Sequence, residues 1–147
     1  MTENNPLVGT WHLRHCEGRS IDGKVSQPFG EHPSGMLMYD ADGNMAVMLM
    51  QSYRRSFASE DVVQASKEEI LAAFAEFEAY GGTYTLNAAE GTVIHHIRHA
   101  RFPNWIGTDQ LRHYFLQGDA LVLKSTPILR DGKEWVFTLN WYRESSE

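Results

Sequence analysis

The chain has one cysteine, Cys16, in 147 residues, so no intrachain disulfide can form. That fits a reducing compartment. No block of Lys or Arg is present; 13 basic residues stand against 19 acidic ones, a formal charge of −6. The electrostatic footprint of a nucleic-acid binder is therefore missing, and anionic membranes are disfavoured by the same sign of charge. No apolar run approaches the ~18 residues that span a bilayer, so no membrane partner is expected. The opening residues lack the basic and apolar regions of a signal peptide. The expected setting is soluble and cytoplasmic. Gly-x-Ser-x-Gly, a phosphate loop and Gly-x-Gly-x-x-Gly are all absent. No nucleotide cofactor is expected, and no cofactor of another kind is called for.

What is present is enough for a core. Hydrophobic residues make up 42% and aromatic residues 12%, which suits a single domain over 1–147. Residues 1–6 are polar and expected to fray. Residues 7–17 read as a first strand, with Trp11, Leu13 and His15 on one face and His12, Arg14 and Cys16 on the other. Residues 35–39 and 44–51 form a hairpin across Asp40-Ala41-Asp42-Gly43. Its register sets Met38 opposite Ala46 and Met36 opposite Met48. Leu37, Tyr39, Met45, Val47 and Leu49 then share the inner face. The outer face, with Met36, Met38, Met48 and Met50, is also apolar and asks for cover by the helix, a loop or a second copy of the chain. A homodimer through this methionine-rich hairpin is one expectation.

The spacing predicts one helix over 67–80, capped by Ser66 and Glu69 and ended by Gly81-Gly82. Ile70, Phe74 and Phe77 would form its apolar face. Strands 83–87 and 92–100 pair across 88–91, and strands 109–117 and 120–126 pair across Gly118-Asp119. A last strand covers 134–143. The fold class is all-β: about eight antiparallel strands in an up-and-down barrel, with the helix inserted between strands three and four. Tight turns fall at one end, the bottom. All the long connections fall at the top, where a lidded mouth is expected.

Gly9-Thr10-Trp11 and Trp141-Tyr142-Arg143 resemble lipocalins, in which such a tryptophan packs against an arginine that closes the barrel floor. The chain is more similar to the bacterial and fungal lipocalin-like domain proteins, a calycin-type barrel. These share the Pro28-Phe29-Gly30 turn, the Tyr39–Gly43 hairpin, His95-His96 and Phe102-Pro103-Asn104-Trp105-Ile106-Gly107-Thr108. The resemblance covers nearly the whole chain and implies a barrel of that kind, with Trp11 and Arg143 as neighbours. The mid-chain helix and the missing disulfides separate it from secreted lipocalins, so extracellular transport is not implied.

Alternation then selects the interior. Leu86 faces Val93 and Tyr84 faces His95, with Ile97 and His99 on the same side and His96 outside. On strand 109–117 the face with Gln110, Arg112, Tyr114 and Leu116 is taken as inward, opposite Ser125, Leu123 and Leu121. Trp135, Phe137, Leu139 and Trp141 alternate inward on the last strand. Candidate catalytic residues are His95, Arg112 and Tyr114. Candidate ligand-binding residues are Tyr84, His99, Phe102, Trp105, Gln110, Leu123, Ser125, Trp135 and Phe137, with His15 and Glu17 as additions from strand one.

Adjacent His95 and His96 point oppositely on a strand and cannot both bind one internal ion, so no metal is expected. An imidazole beside a buried guanidinium can serve acid–base chemistry and anion stabilisation. The same groups can equally be a hydrogen-bonded barrel wall. Three functions stay open: a binder of a small, mostly apolar molecule with a polar or acidic end; a cofactor-free isomerase, cyclase, lyase or hydratase acting on such a molecule; and a structural or interaction protein.

Overall fold

Period-two alternation becomes strands along most of the chain in the computed structural model, which describes residues 5–144. The strands are β1 (Gly9–Ser20), β2 (Val25–Ser26), β3 (Ser34–Tyr39), β4 (Asn44–Met50), β5 (Phe77–Asn87), β6 (Thr92–Ala100), β7 (Asp109–Gln117), β8 (Ala120–Ser125), β9 (Ile128–Arg130) and β10 (Lys133–Tyr142). The helix α1 (Lys67–Ala75) lies between β4 and β5. β1, β3, β4, β5, β6, β7, β8 and β10 pair in that order, and β10 pairs back onto β1, which closes an eight-stranded antiparallel barrel. β2 and β9 are short strands added beside β1 and β10. Closure removes the sheet edges that an open eight-strand sheet would expose.

The inner faces follow the alternation. Leu37, Tyr39, Met45, Val47 and Leu49 are buried, and so are Val93, His95 and Ile97. Met36 pairs with Met48 and Met38 with Ala46. At the floor, the Arg143 guanidinium stacks 4.4 Å from the Trp11 ring centroid. It also donates to the carbonyls of Pro6 and Val8 and pairs with Asp119. Asn5 donates to the Tyr84 hydroxyl, and Leu7 is fully buried. Residues 5 and 6 are therefore tied down rather than frayed; the same expectation for residues 1–4 lies outside the described residues.

Four expectations are corrected. First, the helix is shorter. It keeps the Ser66–Glu69 capping box but ends at Glu76, and the strand begins at Phe77, paired with Met50. Gly81 and Gly82 lie inside β5 rather than ending the helix. A Cβ at Gly82 would overlap the His96 carbonyl oxygen. The glycine pair marks a close backbone approach at a bulge, the second meaning of glycine in an apolar run. Second, α1 buries no residue; Ile70, Leu71 and Phe74 remain exposed. Third, β1 shifts register between Leu13 and His15, so Cys16, Gly18 and Ser20 turn inward in place of His15 and Glu17. Fourth, β5 and β6 shift register between Gly81 and Gly82, which pair with His99 and Ile97. Arg98 is the extra residue, and His99 becomes exposed. Each bulge moves side chains by one step to the other face.

Candidate functional site

The barrel encloses a cavity of about 650 Å³. This lies within the ordinary size of a small-molecule site. Its walls are mostly apolar, with Leu37, Val47, Leu49, Leu123, Leu139 and Trp141 among them. Its mouth is at the end carrying the long connections. Phe29 comes from the loop after β2, Phe74 from α1, Phe102 and Trp105 from the β6–β7 connection, and Leu129 from β9. That connection is held by the chain itself: Pro103–Trp105 form a 3-10 turn, and Gly107, at φ +82°, donates its N–H to the Ile97 carbonyl. The Trp105 ring meets Tyr80 edge-on at 5.7 Å and Phe102 at 6.1 Å.

His95 is the polar centre of the wall. The β5–β6 and β6–β7 registers carry it inward, opposite Tyr84 and Gln110. Both ring nitrogens are engaged: Tyr39 Oη lies 2.6 Å from Nε2, and Tyr80 Oη lies 2.7 Å from Nδ1. His95 and Tyr39 are buried, whereas Tyr80 borders the cavity. Desolvation holds the His95 pKa well below 6.5, helped by the Arg112 charge and then by His96. The imidazole is therefore neutral at physiological pH. Burial also raises the pKa of both hydroxyls. The Arg112 charge works against this at both, and Tyr39 is still held well above 10.0.

Arg112 is the second polar feature. It faces Ser125 on β8 and Val93 on β6 and is 92% buried, being 8% exposed. Its guanidinium donates to the Leu111 carbonyl at 3.2 Å. Among the described residues no carboxylate pairs with it. Glu78 lines the same cavity but is bound in two places by Arg101, at 3.1 and 3.3 Å. Arg101 also donates to the Phe74 carbonyl and stacks 3.8 Å from the Phe74 ring centroid, which clasps the end of α1 to the mouth.

The other candidates divide. Gln110, Leu123, Ser125, Phe137, Phe102 and Trp105 line the cavity with His95 and Arg112. Tyr114 is partly buried against the core and does not line it. Tyr84 is at the floor, donating to the Asp40 carbonyl at 2.6 Å. Trp135 is buried beside Phe137, with its indole N–H on the Arg130 carbonyl, and His99 is exposed. Tyr39, Tyr80 and Cys16 belong at the site without having been singled out. Alternation already placed Tyr39 inward; Tyr80 was hidden by its assignment to the helix and Cys16 by the β1 bulge. Burial pushes the Cys16 thiol up to about 12, so it is an inert apolar wall group. Among the described residues no three His, Cys, Asp or Glu side chains converge as a metal site.

The model of the lipocalin-like domain matches residues 8–144. The chain belongs to the lipocalin-like domain family. A 4'-hydroxy-3'-methoxypropiophenone carrier protein of Aspergillus oryzae is 29% identical over 104 residues, covering 66% of this chain and 94% of that protein. The crystal structure of a lipocalin-like protein from Bacteroides uniformis is 13% identical and superposes with a TM-score of 0.45, covering 90% of this chain and 97% of that one. The lipocalin-like barrel and the relative named as a carrier support small-molecule binding in general terms. No helix among the described residues is long and apolar enough to cross a membrane.

Proposed function

We propose that this lipocalin-like domain is a carrier for one small, mostly apolar molecule whose oxygen-bearing end is held at Arg112. The observation that carries the reading is a buried guanidinium with no carboxylate partner among the described residues, on the wall of a mostly apolar cavity of about 650 Å³. An unpaired charge in such surroundings is costly, and a ligand oxygen would offset much of that cost. The A. oryzae relative is named as the carrier of an aryl ketone, a molecule of this general kind. A compact aryl ketone is therefore the first ligand to try.

The acid–base reading draws less support from the geometry. A proton relay at neutral pH needs an imidazole that titrates there. His95 is kept neutral by burial and Arg112, and tyrosine hydroxyls occupy both of its nitrogens. The single cysteine favours a reducing, cytoplasmic setting for the carrier. The exposed Met38 and Met48 favour a second copy of the chain on the outer hairpin face.

The test is a calorimetric titration of the wild type and Arg112→Met with 4'-hydroxy-3'-methoxypropiophenone. We expect one-site binding that weakens roughly ten-fold or more in the variant, the scale of a hydrogen bond to a charged group. Equal affinity in the two proteins would remove Arg112 from the site.

A further inference from the structure

We infer that the cavity selects a ligand oxygen that accepts hydrogen bonds without donating one, a carbonyl or a carboxylate rather than the matching alcohol. This rests on the carrier reading and adds the polarity of the site to it. The polarity follows from the chain Tyr39–His95–Tyr80.

A neutral imidazole has one N–H donor and one bare nitrogen acceptor. Two arrangements of the chain are conceivable. In one, His95 Nε2–H donates to Tyr39, and Tyr80 donates to Nδ1. The Tyr39 hydroxyl hydrogen would then be buried without an acceptor, because His95 is the only hydrogen-bond partner of Tyr39 among the described residues. Leaving it so costs about 1–3 kcal/mol. In the other, Tyr39 donates to Nε2 and Nδ1–H donates to the Tyr80 oxygen. Every hydrogen in the buried part of the chain is then used. The geometry assigns the second arrangement.

Its consequence falls on Tyr80. The Tyr80 oxygen receives the His95 N–H, with the Arg112 charge close enough to act on it. Its own hydrogen is left for the cavity that Tyr80 lines. Arg112 has donors only. Trp141, another lining residue, has a buried indole N–H without a partner. Some acceptors of the same walls are already engaged: Ser125 Oγ takes the Phe137 N–H, and both Glu78 oxygens take Arg101, while Asn104 also lines the wall. Gln110 keeps an amide oxygen open, while its nitrogen is tied to Thr108. The balance of the wall is donor-rich. An alcohol seated at Tyr80 and Arg112 would accept from both, and its own hydrogen would be met only if it reached the Gln110 or Asn104 amide oxygen. A carbonyl or carboxylate leaves nothing unmet, which is how a hydrogen-bonding site rejects a near-isostere.

Two measurements test this on the full chain. The first is the nitrogen NMR of His95 in the ligand-free protein. Nδ1 should carry the shift of a protonated ring nitrogen and Nε2 that of a bare one; the reverse assignment overturns the inference. The second is a titration with propiophenone, 1-phenylpropan-1-ol and 3-phenylpropanoate. The ketone should bind at least ten-fold tighter than the alcohol, and comparison with the acid tells whether the occupant is neutral or anionic. Tyr80→Phe should weaken the ketone and erase the ketone–alcohol difference. Tyr39→Phe frees the imidazole to adopt either tautomer, so the preference should shrink while both compounds still bind. A purely structural tyrosine would weaken both equally and leave the ratio unchanged, which would overturn the inference. Equal ketone and alcohol affinities, with both weakened by Arg112→Met, sink the selectivity and leave the carrier reading standing. Equal binding of both compounds by wild type and Arg112→Met removes Arg112 from the site, and with it the polar anchor of the carrier reading.

Discussion

At the scale of residues, His95 gives the molecule a pH signature independent of any ligand. Its folded pKa is depressed by burial first and by Arg112 and His96 next. In the unfolded chain it titrates near 6.5. Between those two values the unfolded state binds a proton that the folded state refuses, so stability rises with pH across the window. The contribution is intact above about 6.5 and is lost as pH falls from there toward the folded pKa, at up to about 1.4 kcal/mol per pH unit. Urea melts at pH 7.5, 6.5 and 5.5 should reveal this slope, and His95→Gln should flatten it. A His95→Gln variant with an unchanged slope would assign the effect to another group.

Among the elements, β5 is the one the sequence hides. Residues 77–80 satisfy a helical apolar spacing and also a strand pairing with β4; packing against Met48–Met50 decides for the strand. Gly82→Ala should therefore act as overpacking against a fixed carbonyl, costing roughly 3 kcal/mol in chemical denaturation. A gain in stability, which glycine-to-alanine brings at up to about 1 kcal/mol in ordinary strand, would mean the bulge relaxes easily. The clasp on α1 predicts something different. Arg101→Ala removes its contacts with Glu78 and Phe74 at the mouth but none in the barrel core. Ligand release and hydrogen exchange of the α1 amides should quicken, with the global melting temperature falling by only a few degrees. The hairpins, their registers and the inward run through Gln110 and Arg112 were legible because period-two alternation and turn chemistry agree there. The two bulges were not. A single extra residue leaves no mark in composition, yet it moved His99 out and Cys16 in. The Tyr39–His95–Tyr80 chain was half legible, because the helical spacing over 67–80 claimed Tyr80 for the helix although it lies in β5.

For the whole molecule, the outer face of β3 and β4 remains to be accounted for. α1 runs onto β5 without burying any of its own residues, and Met38 and Met48 stay 38% and 42% exposed. If a second copy covers this face, Met48→Glu should lower the sedimenting mass at concentrations where the wild type associates. An unchanged mass would exclude the face as an oligomer contact. Arg143 bears on a different property, the seam between β1 and β10. That seam joins His12 to Tyr142, from opposite ends of the chain, and Arg143 latches it to the Pro6 and Val8 carbonyls. Pairings of such long sequence separation form late and slowly, because loop closure must precede their reward. Until the seam shuts, the nascent sheet has two raw edges and an open apolar interior. The window for misassembly is therefore set by how fast the two end strands find each other.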